Sequence, residues 1–233
     1  MKASFFVTFV FLCLTFSNST VSGQLKSSVT DHIRIKSEIL NEERELLISL
    51  PSEYNLNNER YPALYVLDAD VNFSVTNEII KFLSYYGVIE ETIVVGIPNL
   101  NGKTRNRDFT YTKSTTYPED FPTAGGGAKF KEFIDHEVIA LVDTVYRTSS
   151  KRILSGHSMG GLFVLNTVIN NDTSFSGYIA ISPTLWWNER ELMDKTKAFL
   201  ASKSSLNKYV FISRANESEK NIADAKSLKN IYE

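Results

Sequence analysis

Gly156-His157-Ser158-Met159-Gly160-Gly161 constrains this chain more than any other stretch. A serine framed as G-x-S-x-G, with an apolar run before it and a helix-forming run after it, sits on a sharp strand-to-helix turn, a nucleophile elbow. Residues 152–155 supply the strand and residues 161–169 the helix. The glycines answer a steric need, because the serine backbone is strained there and neighbouring side chains would collide. Ser158 is therefore the expected nucleophile. A serine nucleophile needs an imidazole to take its proton. The chain has 3 histidines, His32, His136 and His157, and none follows Ser158. In this architecture the order along the chain is Ser, then Asp or Glu, then His.

The rest of the chain reads as alternating strands and helices. Residues 32–40 and 44–50 alternate apolar and polar side chains, as paired strands do. Residues 61–67 and 92–97 are short continuous apolar runs, expected of strands buried on both faces. Residues 177–181 and 208–213 are further strands. Helices are expected over 75–86, 128–146 and 189–203, with 217–233 helical or frayed. Residues 99–122, polar and rich in Arg, Thr and Tyr, read as a long loop, functional or disordered. The pattern predicts an α/β fold, a mostly parallel sheet with helices on both faces and right-handed connections. With 233 residues, 42% of them hydrophobic, the chain suits one domain with a sizeable core.

Lys2, the apolar run 5–16 and the small polar residues up to Gly23 predict a signal peptide over 1–23, followed by one domain over 24–233. The run is too short to span a bilayer comfortably, so no stable membrane insertion is expected after cleavage and the product is secreted or periplasmic; a membrane anchor that stays attached is the alternative. The single cysteine, Cys13, lies within that run, so the mature chain has none. A net charge of -2 without a charge run makes nucleic acid an unexpected partner.

A serine acyl-transfer site must also stabilise an oxyanion. The backbone N–H of Met159 is one expected donor. The second comes from the turn after residues 61–67, from Ala69 or Asp70, with Asp70 favoured. The acid should follow the strand 208–213, where Glu217 is placed to orient an imidazole and Glu219 is the reserve. His157 reads as a packed elbow residue and a poor base, because neighbours across a sharp turn point apart; His136 reads as a helix histidine. Arg105, Arg107 and Asp108 lie near the strand ends, where ligands of open α/β sheets bind. They would hold an acidic substrate or close the loop by ion pairs. Trp186 and Trp187 would line a pocket or enter the core. No spacing suits a metal site, and no cofactor is implied.

Tyr61-Pro-Ala-Leu-Tyr-Val-Leu-Asp68, Val95-Gly-Ile-Pro-Asn99, Arg105-Asn-Arg-Asp-Phe-Thr110, residues 126–147, the elbow and Ile181-Ser-Pro-Thr-Leu-Trp-Trp187 together resemble an esterase family of α/β hydrolases. That family includes esterase D-like enzymes, feruloyl esterases, mycolyltransferases and trilactone siderophore esterases. The Arg-x-Arg-Asp block and the double Trp most resemble the siderophore-esterase branch. The resemblance implies an α/β-hydrolase fold, a small-molecule ester substrate, Ser158 as nucleophile, Met159 N–H in the oxyanion hole and Glu217 in the acid position. Family members continue through another strand and a loop bearing the catalytic His, so the chain is expected to be a fragment. A non-catalytic binding protein and an acyltransferase are the alternatives.

Overall fold

The computed structural model describes residues 31–170, 172–202, 206–215 and 219–232. The expected signal peptide and Glu217 lie outside them. The described residues open on an antiparallel hairpin, β1 (Asp31–Ser37) and β2 (Glu42–Ser49). It turns at Asn41, whose φ is 55°. Next come β3 (Tyr61–Leu67), α1 (Ala69–Tyr85), β4 (Ile93–Ile97) and α2 (Gly102–Asp108). One long helical stretch follows: α3 (Gly127–Phe133), a π-helical turn (Ile134–Val138) and α4 (Ile139–Val145). After it come β5 (Thr148–His157), α5 (Met159–Ile169), β6 (Gly177–Ile181), a 3-10 turn (Trp187–Arg190), α6 (Glu191–Ala201), β7 (Tyr209–Ser213) and α7 (Glu219–Tyr232).

The sheet order is β1-β2-β4-β3-β5-β6-β7. β2 meets β4 antiparallel, and every later pair is parallel. The expected α/β-hydrolase type of sheet is thus present. β3 and β4 are buried along their whole length, as their unbroken apolar runs require. One face carries the main core, built from Phe130, Phe133, Phe163, Leu165 and Tyr178 among others. The other face packs Leu64, Val66 and Val94 against Ala69 and Phe73 of α1. Gly96 lets α1 come this close: a Cβ there would lie 2.5 Å from Phe73.

Several element boundaries differ from expectation: β1 ends at Ser37 rather than at 40, and β5 starts at Thr148 rather than at 152. α1 starts at Ala69 rather than at 75, because Asp68 turns the chain directly into the helix. Part of the expected loop 99–122 is α2, a 7-residue helix opened by an Asn101–Thr104 capping box. The expected helix from 189 starts at Glu191, because Asn188 and Glu189 hold left-handed backbone.

On the α1 side the sheet is unevenly covered. The register pairs Ile153 with Gly177 and Gly177 with Tyr209, and Ile179 with Phe211, so these residues share one face. Tyr209 is 85% exposed and Phe211 60% exposed. Val71, Val75, Ile79 and Phe82 on α1 are exposed as well. Val75 and Ile79 face Ser155 and Ile181 across a cleft of about 290 Å³.

Candidate active site

β5 delivers its C-terminal end to the elbow, and Ser158 holds φ 56° and ψ −116° immediately before α5. The strain is held by hydrogen bonds on both sides. Ser158 N donates to Ile181 O (3.0 Å), and Ser158 O accepts from Leu162 N (3.0 Å) and Thr184 N (3.1 Å). Gly156 is sterically required, since a Cβ would lie 2.4 Å from the Gly160 carbonyl. At Gly161 a Cβ would meet Pro183 Cα at 3.0 Å. Gly160 has room, its nearest neighbour standing at 3.5 Å. α5 is buried from Met159 to Val168, so the elbow rests on the main core. Met159 contributes the first amide of that helix, which has no partner within the helix.

Ser158 Oγ lies 3.2 Å from Thr184 Oγ1. The two hydroxyls line a cavity of about 300 Å³ with His157, Ser182, Pro183, Trp186 and Ala215. Ser182 has φ 43°. Its N–H donates to Ser213 O (2.8 Å) and its Oγ accepts from Ala215 N (2.9 Å), tying the end of β7 to the cavity. Sequence reasoning missed Ser182 and Thr184. Their only signal is their place in Ile181-Ser-Pro-Thr184, after the strand next to the elbow.

The turn after β3 lies alongside. β3 and β5 are parallel neighbours, with Val66 opposite Ser155. Asp68 caps α1 in left-handed conformation, φ 52° and ψ 43°. Its carboxylate Oδ2 is 3.5 Å from where a Gly160 Cβ would be. Ala69 and Asp70 follow as the first residues of α1, where helical amides have no intrahelical acceptor. Arg105 donates from Nε to Asp68 Oδ1 (2.7 Å) and from Nη2 to Asp68 Oδ2 (2.9 Å). Asn99 Nδ2 donates to Asp68 Oδ1 (2.5 Å), and Asn99 N to Asp70 Oδ1 (3.2 Å).

Arg107 turns the other way. It donates to both oxygens of Glu42 (3.0 and 2.6 Å) and from Nε to Asp108 Oδ1 (2.7 Å). Asp108 is fully buried and accepts from the equally buried Arg44 (2.7 Å). The Arg44 guanidinium sits 5.3 Å and 5.6 Å from the rings of Phe130 and Phe133. The Arg107 hydrogen bond, and to a lesser degree Arg44, holds the Glu42 carboxyl below its ordinary value against the opposing effect of burial.

Of the two tryptophans, Trp186 is partly exposed in the Ser158 cavity and meets Tyr117 edge-on at 6.0 Å. Trp187 is buried, and its indole N–H donates to Thr112 Oγ1 (3.2 Å). His157 is exposed rather than packed, a correction to the expectation. It lies on the face of β5 that carries Ile153 and Ser155, in the cleft beside α1 where no helix covers the strand end. His32 pairs with Glu45 (3.0 Å) on the edge hairpin, and His136 is exposed in the π-helical turn. Among the described residues, no cluster of three or more His, Cys, Asp or Glu suits a metal ion. No described helix is long and apolar enough to cross a membrane.

A family model described as "Putative esterase" matches residues 37–224, from the end of β1 into α7. The chain belongs to this esterase family. Ferri-bacillibactin esterase BesA of Bacillus subtilis is 33% identical over 155 residues, 60% of this chain and 54% of its own. A siderophore triacetylfusarinine C esterase of Aspergillus fumigatus is 32% identical over 151 residues, 61% of this chain and 50% of its own. The chain thus spans about half the length of these esterases. Among solved structures, an IroE-like serine hydrolase from Shewanella oneidensis superposes with a TM-score of 0.79 at 28% identity, covering 86% of this chain and 69% of that one. The BES protein of Bacillus cereus gives 0.77 at 26% identity, over 91% and 85%. The esterase-family fold is therefore shared along nearly all the described residues.

Proposed function

We propose that this chain carries the nucleophile of a serine carboxylic ester hydrolase. Ser158 Oγ attacks the ester carbonyl carbon while a histidine takes its proton. The amides of Met159 and Asp70 receive the oxyanion. The histidine returns the proton to the departing alcohol, then takes a proton from the water that attacks the acyl-serine and gives it to Ser158 Oγ as the acid leaves. The strained backbone of Ser158, at the head of a buried helix and open to a cavity of about 300 Å³, carries this reading. For the acid position the support is proximity: Ala215 lines the cavity, and Glu217 lies two residues further on. Trp186 is the substrate-facing tryptophan, while Arg105, Arg107 and Trp187 shape the site from behind. None of His32, His136 and His157 is assigned as the base: His32 pairs with Glu45 on the edge hairpin, His136 is exposed in the π-helical turn, and His157 lines the Ser158 cavity while the hydroxyl neighbour of Ser158 Oγ is Thr184. The substrate is a small-molecule ester, with siderophore esters favoured by the names of similar proteins. Export through a signal peptide over 1–23 completes the proposal.

In the full-length gene product, a fluorophosphonate should label Ser158. Ser158→Ala should lower hydrolysis of a p-nitrophenyl ester by about a thousandfold or more. Undiminished turnover in that variant would refute the nucleophile assignment. One observation favours a second, non-catalytic reading: the hydrogen-bonding neighbour of Ser158 Oγ is Thr184, not an imidazole. Ester binding without turnover by the full-length wild type would select it. Product analysis with an added acceptor alcohol would separate hydrolysis from acyl transfer.

A further inference from the structure

We propose that Arg105 is a positioning residue for the oxyanion turn. Its guanidinium holds Asp68, and through Asp68 it aims the Ala69 and Asp70 amides at the acyl group on Ser158. The inference rests on the ester-hydrolase reading above.

Asp68 is an unusual place for an acid. It is almost fully buried, it holds left-handed backbone, and it joins a central strand to α1. A left-handed non-glycine residue costs about 1 kcal/mol or more and persists only where its surroundings enforce it. A buried carboxylate also needs hydrogen-bond donors for its oxygens. Arg105 meets both needs with a two-pronged contact at 2.7 and 2.9 Å, the strongest geometry available to a carboxylate.

The clamp is anchored on the elbow side. The Arg105 guanidinium lies 5.4 Å from the ring of Phe109. Phe109 in turn meets Phe163 of α5 at 6.0 Å. The Asp68 carboxylate stands beside Gly160 in the first turn of α5. Arg105 therefore links the helix that follows Ser158 to the turn that would supply the second oxyanion donor. That link fixes the separation of the two amides, Met159 and Asp70, on which an oxyanion site depends. A preorganised donor works only when it is already aimed at the oxygen that becomes charged.

The competing role is direct contact with an anionic substrate, and the kinetic signature separates the two. A neutral ester, p-nitrophenyl butyrate, is the probe, with the full-length gene product as enzyme. Arg105→Ala should lower kcat about 10- to 100-fold with KM changed less than about twofold, a partial version of losing an oxyanion donor. Arg105→Lys, which keeps the charge but not the two-pronged fit, should recover only part of the loss. In an Asp68→Asn background, Arg105→Ala should cost little more, because the two residues act as a unit. A raised KM with unchanged kcat would overturn the proposal in favour of substrate contact. Unchanged kcat and KM would reduce the pair to a purely structural ion pair and also overturn it. If Ser158→Ala kept full turnover, the hydrolase reading would fail on its own, and amide hydrogen exchange would decide the clamp. Arg105→Ala should speed exchange at Val71 and Asn72, whose N–H groups donate to Asp68 O, about tenfold or more, while Leu162, which donates to Ser158 O, keeps its protection. Equal protection in both segments would overturn the clamp whatever the activity.

Discussion

Gly156 and Gly160 look equivalent in a G-x-S-x-G pattern, and the structure separates them. A methyl group at 156 would be driven into the backbone carbonyl of residue 160, which cannot yield, whereas 160 has ordinary contact distances. Gly156→Ala should therefore cost about 3 kcal/mol or more, at the upper end of overpacking penalties. Gly160→Ala should stay within about 1 kcal/mol, since alanine is the better helix former. Urea unfolding midpoints of the two variants would check the difference. Ser158 itself was legible from its motif, because a tight strand-to-helix turn demands glycines at fixed offsets around the residue it displays. Thr184, Ser182 and the left-handed backbone of Asp68 were not legible. Their roles come from chain crossings at the ends of three strands, and no local pattern encodes those. The exposure of His157 was missed for a related reason: burial at a strand end depends on which helix covers that face.

α2 illustrates what hydrophobic periodicity cannot reveal. Its sequence, Gly-Lys-Thr-Arg-Asn-Arg-Asp, contains no apolar side chain, so it reads as loop. It is held instead by a capping box and by ion pairs running outward from Asp108 and Arg105. Asp108→Ala should cost about 3–5 kcal/mol, because it strips a buried partner from the fully buried Arg44. Chemical denaturation would measure this, and a loss below about 1 kcal/mol would mean that Glu42 and solvent compensate. Glu42 adds a pH dependence. Its folded pKa lies below the ordinary 4.5, chiefly through Arg107, so its carboxylate stabilises the fold above that value. The contribution is lost as the pH falls through the lower folded pKa. Thermal midpoints between neutral pH and about pH 3 should fall less steeply for Glu42→Gln than for wild type. The strands β3, β4 and β6, by contrast, were legible almost to the residue. An unbroken apolar run bounded by turn residues has one stable home in a soluble α/β protein, the middle of a parallel sheet.

Across the molecule, the two sides of the sheet are finished to different degrees. Among the described residues, α3 to α7 and their loops build one core and α1 alone the other. This leaves Ile181 on its strand and Val75 and Ile79 on the helix open around one cleft, with Tyr209 and Phe211 exposed on the same face of the sheet. Edge strand β7 lies at the end of that surface. Residues 24–233 alone should self-associate with rising concentration in sedimentation experiments, and Phe211→Lys should weaken the association. A monomeric, cooperatively melting sample at high concentration would contradict this. The layered α/β plan was readable from the alternation of element types. The strand order was not, because pairing partners far apart in sequence leave no mark on either segment.

That strand order also sets a timetable. β3 is the hinge of the sheet, flanked by β4 and β5, and Tyr65 finds its partner Leu154 about 90 residues later in the chain. Closing so long a connection is the slow kind of step in folding. On a ribosome the hairpin β1–β2 can pair early, while β3 waits with one side open until β5 has emerged. The last residues of β5 lead straight into Ser158. The chain thus acquires its strained serine only when the centre of its sheet closes, and no partly folded precursor lacking β5 can present one.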